Sequence, residues 1–151
     1  MLDEAEQRLL DDIANFGWHL IAINASEHGP AFVYSIGMME TLGHPEIIMF
    51  GLDIKLMGSV LNDMGAQIRE GRRFAELGLF EDILRGYACN VIRVDPGRHP
   101  EYLGYAMWHR RHIGKIGTLE AIQCVWPDKA GRFPNEEGCR PEIVALQPLL
   151  W

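Results

Sequence analysis

The sequence predicts an α+β fold: a mostly antiparallel sheet of about five strands with three helices packed on it, in a single domain spanning residues 1–151. Three observations predict it. Apolar β-branched and aromatic runs flank Gly29-Pro30 at hairpin spacing. Helical periodicities are few and do not alternate strictly with strands. No Gly-x-Gly-x-x-Gly follows a strand, which disfavours a dinucleotide-binding doubly wound sheet. A chain of 151 residues fits one domain. At that size roughly 68–70% of the unfolded surface is buried, so folding needs no disulfide or metal.

The elements follow in order. Asp3 and Glu6 form a capping-box pattern, and Leu2, Ala5, Leu9, Ile13 and Phe16 recur at helical spacing up to a stop at Gly17. Trp18–Ile23 reads as a strand, 24–30 as a turn and Ala31–Ile36 as the returning strand. Gly37 to Pro45 reads as a loop and Glu46–Phe50 as a third strand. Asp53 is a natural N-cap for a second helix, stapled by Leu52 and Met57, with Leu56, Val60, Leu61, Met64 and Ile68 as its buried stripe and a stop at Gly71. Residues 72–83 fit no single period. Tyr87–Val94 reads as a fourth strand. Pro96-Gly97 turns the chain, and a third helix is expected from Pro100 to Arg111 with His99 as N-cap and Leu103, Ala106 and Met107 inward. Leu119–Trp126 reads as a fifth strand, and the tail from Pro127 as surface loop, partly extended over 143–150. The expected core includes Val33, Ile36, Ile48, Leu61, Val91 and Val125.

Composition narrows the function classes. A net charge of −7 argues against a nonspecific nucleic-acid surface. Two local basic clusters remain, Arg69, Arg72 and Arg73, and then Arg98, His109, Arg110, Arg111 and His112; both read first as solvated faces. Three widely spaced cysteines, Cys89, Cys124 and Cys139, fit reduced thiols in a cytoplasm. The acidic N-terminus lacks the pattern of a signal peptide, and no run approaches the roughly 18 apolar residues of a membrane span.

Chemistry-bearing residues gather in two loops that leave apolar strands. Glu40 and His44 share the loop after the second strand and could form an acid–base pair, with His44 as proton carrier because its ordinary pKa lies near working pH. Asp128 and Arg132 follow the fifth strand, and Arg132 could hold an anion by its planar fork. If the two loops meet, Tyr34 and Trp126 wall a pocket containing all four; if they lie at opposite edges, each is a capped turn. The expected catalytic residues are thus Glu40 and His44, and the expected ligand-binding residues Tyr34, Trp126, Asp128 and Arg132. No metal site is expected: His109 and His112 share a helix face, but Arg110 and Arg111 between them repel a cation. Cys124 and Cys89 read as small core residues, and Ser35 lacks a hydrolase elbow. The sequence leaves the cofactor unknown, and the order hairpin, loop, strand, helix is loosely similar to flavin-binding split barrels at the level of fold analogy.

The chain resembles the bacterial family known as domain of unknown function 4262. The resemblance rests on Gly17-Trp18-His19, Gly29-Pro30 with Phe32, Tyr34, Ile36 and Gly37, and Gly43-His44-Pro45-Glu46. It continues through Tyr102-Leu103-Gly104-Tyr105, Gln123-Cys124-Val125-Trp126-Pro127-Asp128, Gly131-Arg132-Phe133-Pro134 and Gln147-Pro148-Leu149-Leu150. Ser35, Ala31 and Asn135 depart from the residues common there, and Asn135 removes a stacking group. The resemblance implies a cytoplasmic bacterial protein and carries no reaction or catalytic residue with it. Two functions stay open: a small-molecule-binding domain, with or without catalysis, whose pocket lies at the strand-end loops, and a non-catalytic adaptor or immunity-type protein that recognises a protein partner through an acidic surface.

Overall fold

The computed structural model describes all 151 residues. Its elements are α1 (Glu4–Phe16), β1 (His19–Ile23), β2 (Phe32–Ile36), α2 (Met38–Leu42), β3 (Glu46–Phe50), α3 (Ile54–Arg69), β4 (Gly78–Leu84), β5 (Tyr87–Arg93), α4 (His99–Tyr102), α5 (Gly104–His112), β6 (Ala121–Val125) and α6 (Pro141–Leu146). Single 3₁₀ turns cover Phe74–Glu76 and Pro96–Arg98.

The strands form one sheet in the order β1-β2-β3-β6-β5-β4. It consists of two antiparallel three-stranded meanders, β1-β2-β3 and β4-β5-β6, joined through a parallel pair of their last strands, β3 and β6. The α+β class therefore holds, but the sheet is mixed and has six strands rather than five. Parallel pairing needs a crossover, and the crossover here runs from Gly51 to Glu120, far beyond the reach of local pattern. The sixth strand, β4, begins inside the aperiodic stretch 72–83 and ends at Leu84. Leu79 is exposed and the register shifts between Phe80 and Leu84, so this edge strand shows no clean alternation. The sheet is open, with β1 and β4 as free edges, and forms no barrel.

Because β3 and β6 are central, every residue of both is buried. One face of the sheet packs under α3, through Val33, Ile47, Met49 and Cys124 against Met57, Val60, Leu61, Met64 and Ile68. The other face, with Tyr34, Ile36, Ile48 and Phe50, packs under α1, α5 and the C-terminal strap, through Leu9, Ala106 and Leu150. All six residues expected in the core are buried. Close approach of α3 depends on Gly65: a Cβ there would sit 2.5 Å from the Trp18 ring.

Helix signals held where caps are local. Asp3 and Glu6 make the capping box of α1, and the Asp53 side chain accepts from the Lys55 and Leu56 N–H groups. Three details differ from the periodicity. Leu56 and Phe16 are exposed, because each sits at the flank of its apolar stripe. The third helix breaks at Leu103 into α4 and α5, and His99 is its first residue rather than a side-chain cap. Residues 38–42 and 141–146, expected as loop, are short helices; Gly37, in the left-handed region (φ 109°), lets the backbone turn directly from β2 into α2. No helix is long and apolar enough to cross a membrane.

Candidate functional site

The parallel pairing of β3 with β6 decides where the expected site residues lie. Glu46 pairs with Ala121 and Ile48 with Gln123, so both strands begin at the same end of the sheet. The segment 37–45 enters β3 at that end, whereas 126–134 leaves β6 at the opposite end. Glu40 and His44 therefore do not meet Asp128 and Arg132, and the expected shared pocket does not form.

Each of these side chains has a local role. His44 is 1% exposed, and both ring nitrogens are engaged. Nδ1 donates to the Pro45 carbonyl (2.8 Å), and Nε2 accepts from the N–H groups of Phe74 (3.1 Å) and Ala75 (3.2 Å). The imidazole thus caps the 3₁₀ turn at Phe74–Glu76 as a neutral base, and burial holds its pKa below the usual histidine value. Glu40 is not among its hydrogen-bond partners. Its Oε2 accepts from Lys115 Nζ at 3.0 Å and lies 3.5 Å from Arg110 NH1, and the lysine hydrogen bond lowers its pKa.

Tyr34 is buried beneath α5, where its hydroxyl accepts from the Tyr105 N–H (3.2 Å) and burial pushes its pKa up to about 12. Asp128 folds its own loop: Oδ1 accepts from the N–H groups of Ala130 and Arg132, both at 2.9 Å, and these bonds hold its pKa down. Arg132 reaches back to Asp128 at 3.7 Å. Trp126 donates its indole N–H to the Phe50 carbonyl (2.7 Å), and its backbone is held on both sides by the Gln147 amide.

The end of the sheet where β3 begins holds a buried carboxylate that no local motif marks, Glu46. Glu46 accepts from Ser35 Oγ (2.8 Å) and from the N–H groups of Gly37, Met38 and Met39 (3.0–3.2 Å), which ties the start of β3 to the N-terminus of α2. Burial pushes it up to about 7 while the four donors pull it down. Every neighbour donates and none accepts, so the ionised form fits this arrangement.

The residues that stand out for function lie at the same end of the sheet, but in the second meander. Arg93 ends β5, residues 116–120 lead into β6, and α4 and α5 pack above. Between them is a cavity of about 570 Å³ whose walls include Arg93, His99, Arg110, Arg111 and Glu120, with Met107 and Leu119 as apolar parts. His99 and Arg110 are each 6% exposed. Arg110 Nε donates to Thr118 Oγ1 at 3.0 Å. Arg110 NH1 and His99 Nε2 have no hydrogen-bond partner, and they are the two buried side-chain polar atoms of the chain in that condition. The Glu40 carboxylate at 3.5 Å neutralises part of the Arg110 charge without hydrogen-bonding to NH1. Burial holds His99 below the usual histidine pKa, with Asp95 opposing and Arg93 adding to the depression.

The sequence placed Arg110 and Arg111 on a solvated face. Arg110 carried a positional signal: it lies seven residues after Leu103 and four after Ala106, on the inward stripe of its helix. Arg111 is exposed and Arg110 is buried. His99 and Arg93 join them only through tertiary structure. No group of three or more metal-ligating side chains converges anywhere in the chain.

Residues 12–140 match the family described as Domain of unknown function (DUF4262). No curated protein and no solved structure matches the chain.

Proposed function

We propose that this chain, which belongs to the DUF4262 family, binds a small organic anion, a carboxylate or phosphate, in the cavity between β5, α5 and the segment leading into β6. The observation that carries this reading is the pair of buried nitrogens without a hydrogen bond, His99 Nε2 and Arg110 NH1, on two residues that line one cavity. A buried unsatisfied donor costs about 1–3 kcal/mol, more when charged. Arg110 NH1 is a donor, and the protonated His99 ring presents Nε2–H as a second, so one multivalent acceptor answers both. Arg93 and Arg111 add exposed guanidiniums at the rim, and planar forks of this kind match carboxylate and phosphate oxygens. The surrounding molecule carries −7, so this cationic concentration runs against the overall charge. Met107 and Leu119 supply an apolar wall for the carbon part of the ligand.

The test is a titration with inorganic phosphate and with acetate, followed by the His99 imidazole resonances. A bound anion favours the protonated ring, so the His99 pKa rises as the site fills. Arg110→Gln abolishes saturation. Arg111→Gln, at an exposed position that does not threaten folding, weakens it. Absence of saturable shifts with either anion, or equal shifts in the folded Arg111→Gln variant, overturns the reading.

A further inference from the structure

The opposite end of the sheet carries a second cavity of different chemistry. About 440 Å³ in volume, it lies between the start of α3, the β4–β5 turn, the loop after β6 and α6. Its walls are Leu52, Leu56, Leu84, Tyr87, Trp126 and Ile143. Leu56 is 46% exposed and Tyr87 40%, so part of this apolar lining faces solvent. A neighbouring cavity of about 280 Å³ shares Tyr87, Pro127 and Lys129 with it.

Charge at the rim has one sign. Arg85 and Lys129 line the cavity, are exposed, and enter none of the ion pairs of the chain. The single acid in the walls, Asp128, has turned both oxygens onto backbone N–H groups of its own loop and is 3% exposed. It offers no partner to a cationic ligand. An apolar trough with two unanswered cations in its wall suits an amphipathic anion: an apolar body against Leu56, Leu84 and Trp126, and a single charged head held by Arg85 and Lys129.

We infer that this trough is a binding site for an aliphatic monocarboxylate of medium length. The site is separate from the cationic cavity, at the other end of the sheet, and stands or falls without it. Apolar burial supplies the affinity and the cations select the head group. Trp126 is the built-in reporter, because its indole lies in the wall with its N–H fixed on the Phe50 carbonyl.

The experiment is a titration of the intact chain with octanoate, followed through the Trp126 indole and the Tyr87 amide resonances. Acetate, which has the head without the body, and octylammonium, which has the body with reversed charge, are the comparators. Octanoate is expected to saturate and both comparators to fail. Arg85→Gln combined with Lys129→Gln, both at exposed positions, weakens octanoate about fivefold. Leu56→Asp, on the exposed flank of α3, removes saturation while leaving the fold intact. The inference is overturned if octanoate does not saturate, if octylammonium binds equally well, or if the double variant binds octanoate as tightly as the parent. Shifts confined to the His99 resonances place the ligand in the other cavity and also overturn it.

Discussion

Replacing His44 by alanine tests whether this histidine is a structural cap. In the folded chain its Nε2 accepts from Phe74 N–H and Ala75 N–H, and its Nδ1–H satisfies the Pro45 carbonyl. The substitution strands one fully buried donor, at Phe74, and two part-buried groups. At about 1–3 kcal/mol for the buried one and less for each of the others, the expected loss is about 2–4 kcal/mol. Nε2 can accept only while the ring is neutral. Protonation would set an N–H against two N–H groups, which agrees with the lowered pKa. The folded pKa is thus depressed below the unfolded value of 6.5, and the unfolded chain binds the extra proton. The cap's contribution is therefore complete above about pH 6.5 and is lost as pH falls through the lower, folded value. His99 and His109 are depressed by burial as well, and Glu46 titrates in the opposite sense, so the parent curve alone is a composite. The difference between parent and His44→Ala isolates the one ring. Denaturant unfolding followed by circular dichroism, near pH 8 and again near pH 5, should show a gap of about 2–4 kcal/mol that narrows in acid. A gap under about 0.5 kcal/mol at the higher pH, or one that widens in acid, refutes the cap.

Three further outcomes are expected. Glu40→Gln removes the carboxylate beside Arg110 and Lys115, and should strengthen phosphate binding in the cationic cavity about two- to fivefold by calorimetry; weaker binding contradicts the role of Glu40 as an internal counter-ion. Leu61→Ala, at a fully buried position of α3, should cost about 2–5 kcal/mol in denaturant unfolding, and a loss within about 0.5 kcal/mol would show that the α3 stripe does not face the sheet. Cys89, Cys124 and Cys139 should all react with a thiol reagent under denaturing, non-reducing conditions; two protected thiols would reveal a disulfide.

The chain by itself determined whatever rests on neighbours within a few residues. Capping at Asp3 and Asp53, the glycine stop at Gly17, the hairpin of β1 and β2, and the apolar stripe of α3 are local events whose energetics are complete within one or two turns. The six expected core residues followed from the same periodicities. Tertiary structure alone decided the parallel joining of β3 to β6, because that pairing closes a crossover of dozens of residues and leaves no trace in spacing. That one pairing sent Glu40 and His44 to one end of the sheet and Asp128 and Arg132 to the other. His44 illustrates the same limit at the scale of one side chain. In sequence it is a histidine before proline in a loop, and its chemistry was set by two amides 30 and 31 residues away that face its ring in the fold. The cationic cavity has the same origin. Arg93, His99 and Arg110 come from a strand end and two helices, and residues that meet only after the sheet has formed share no pattern along the chain.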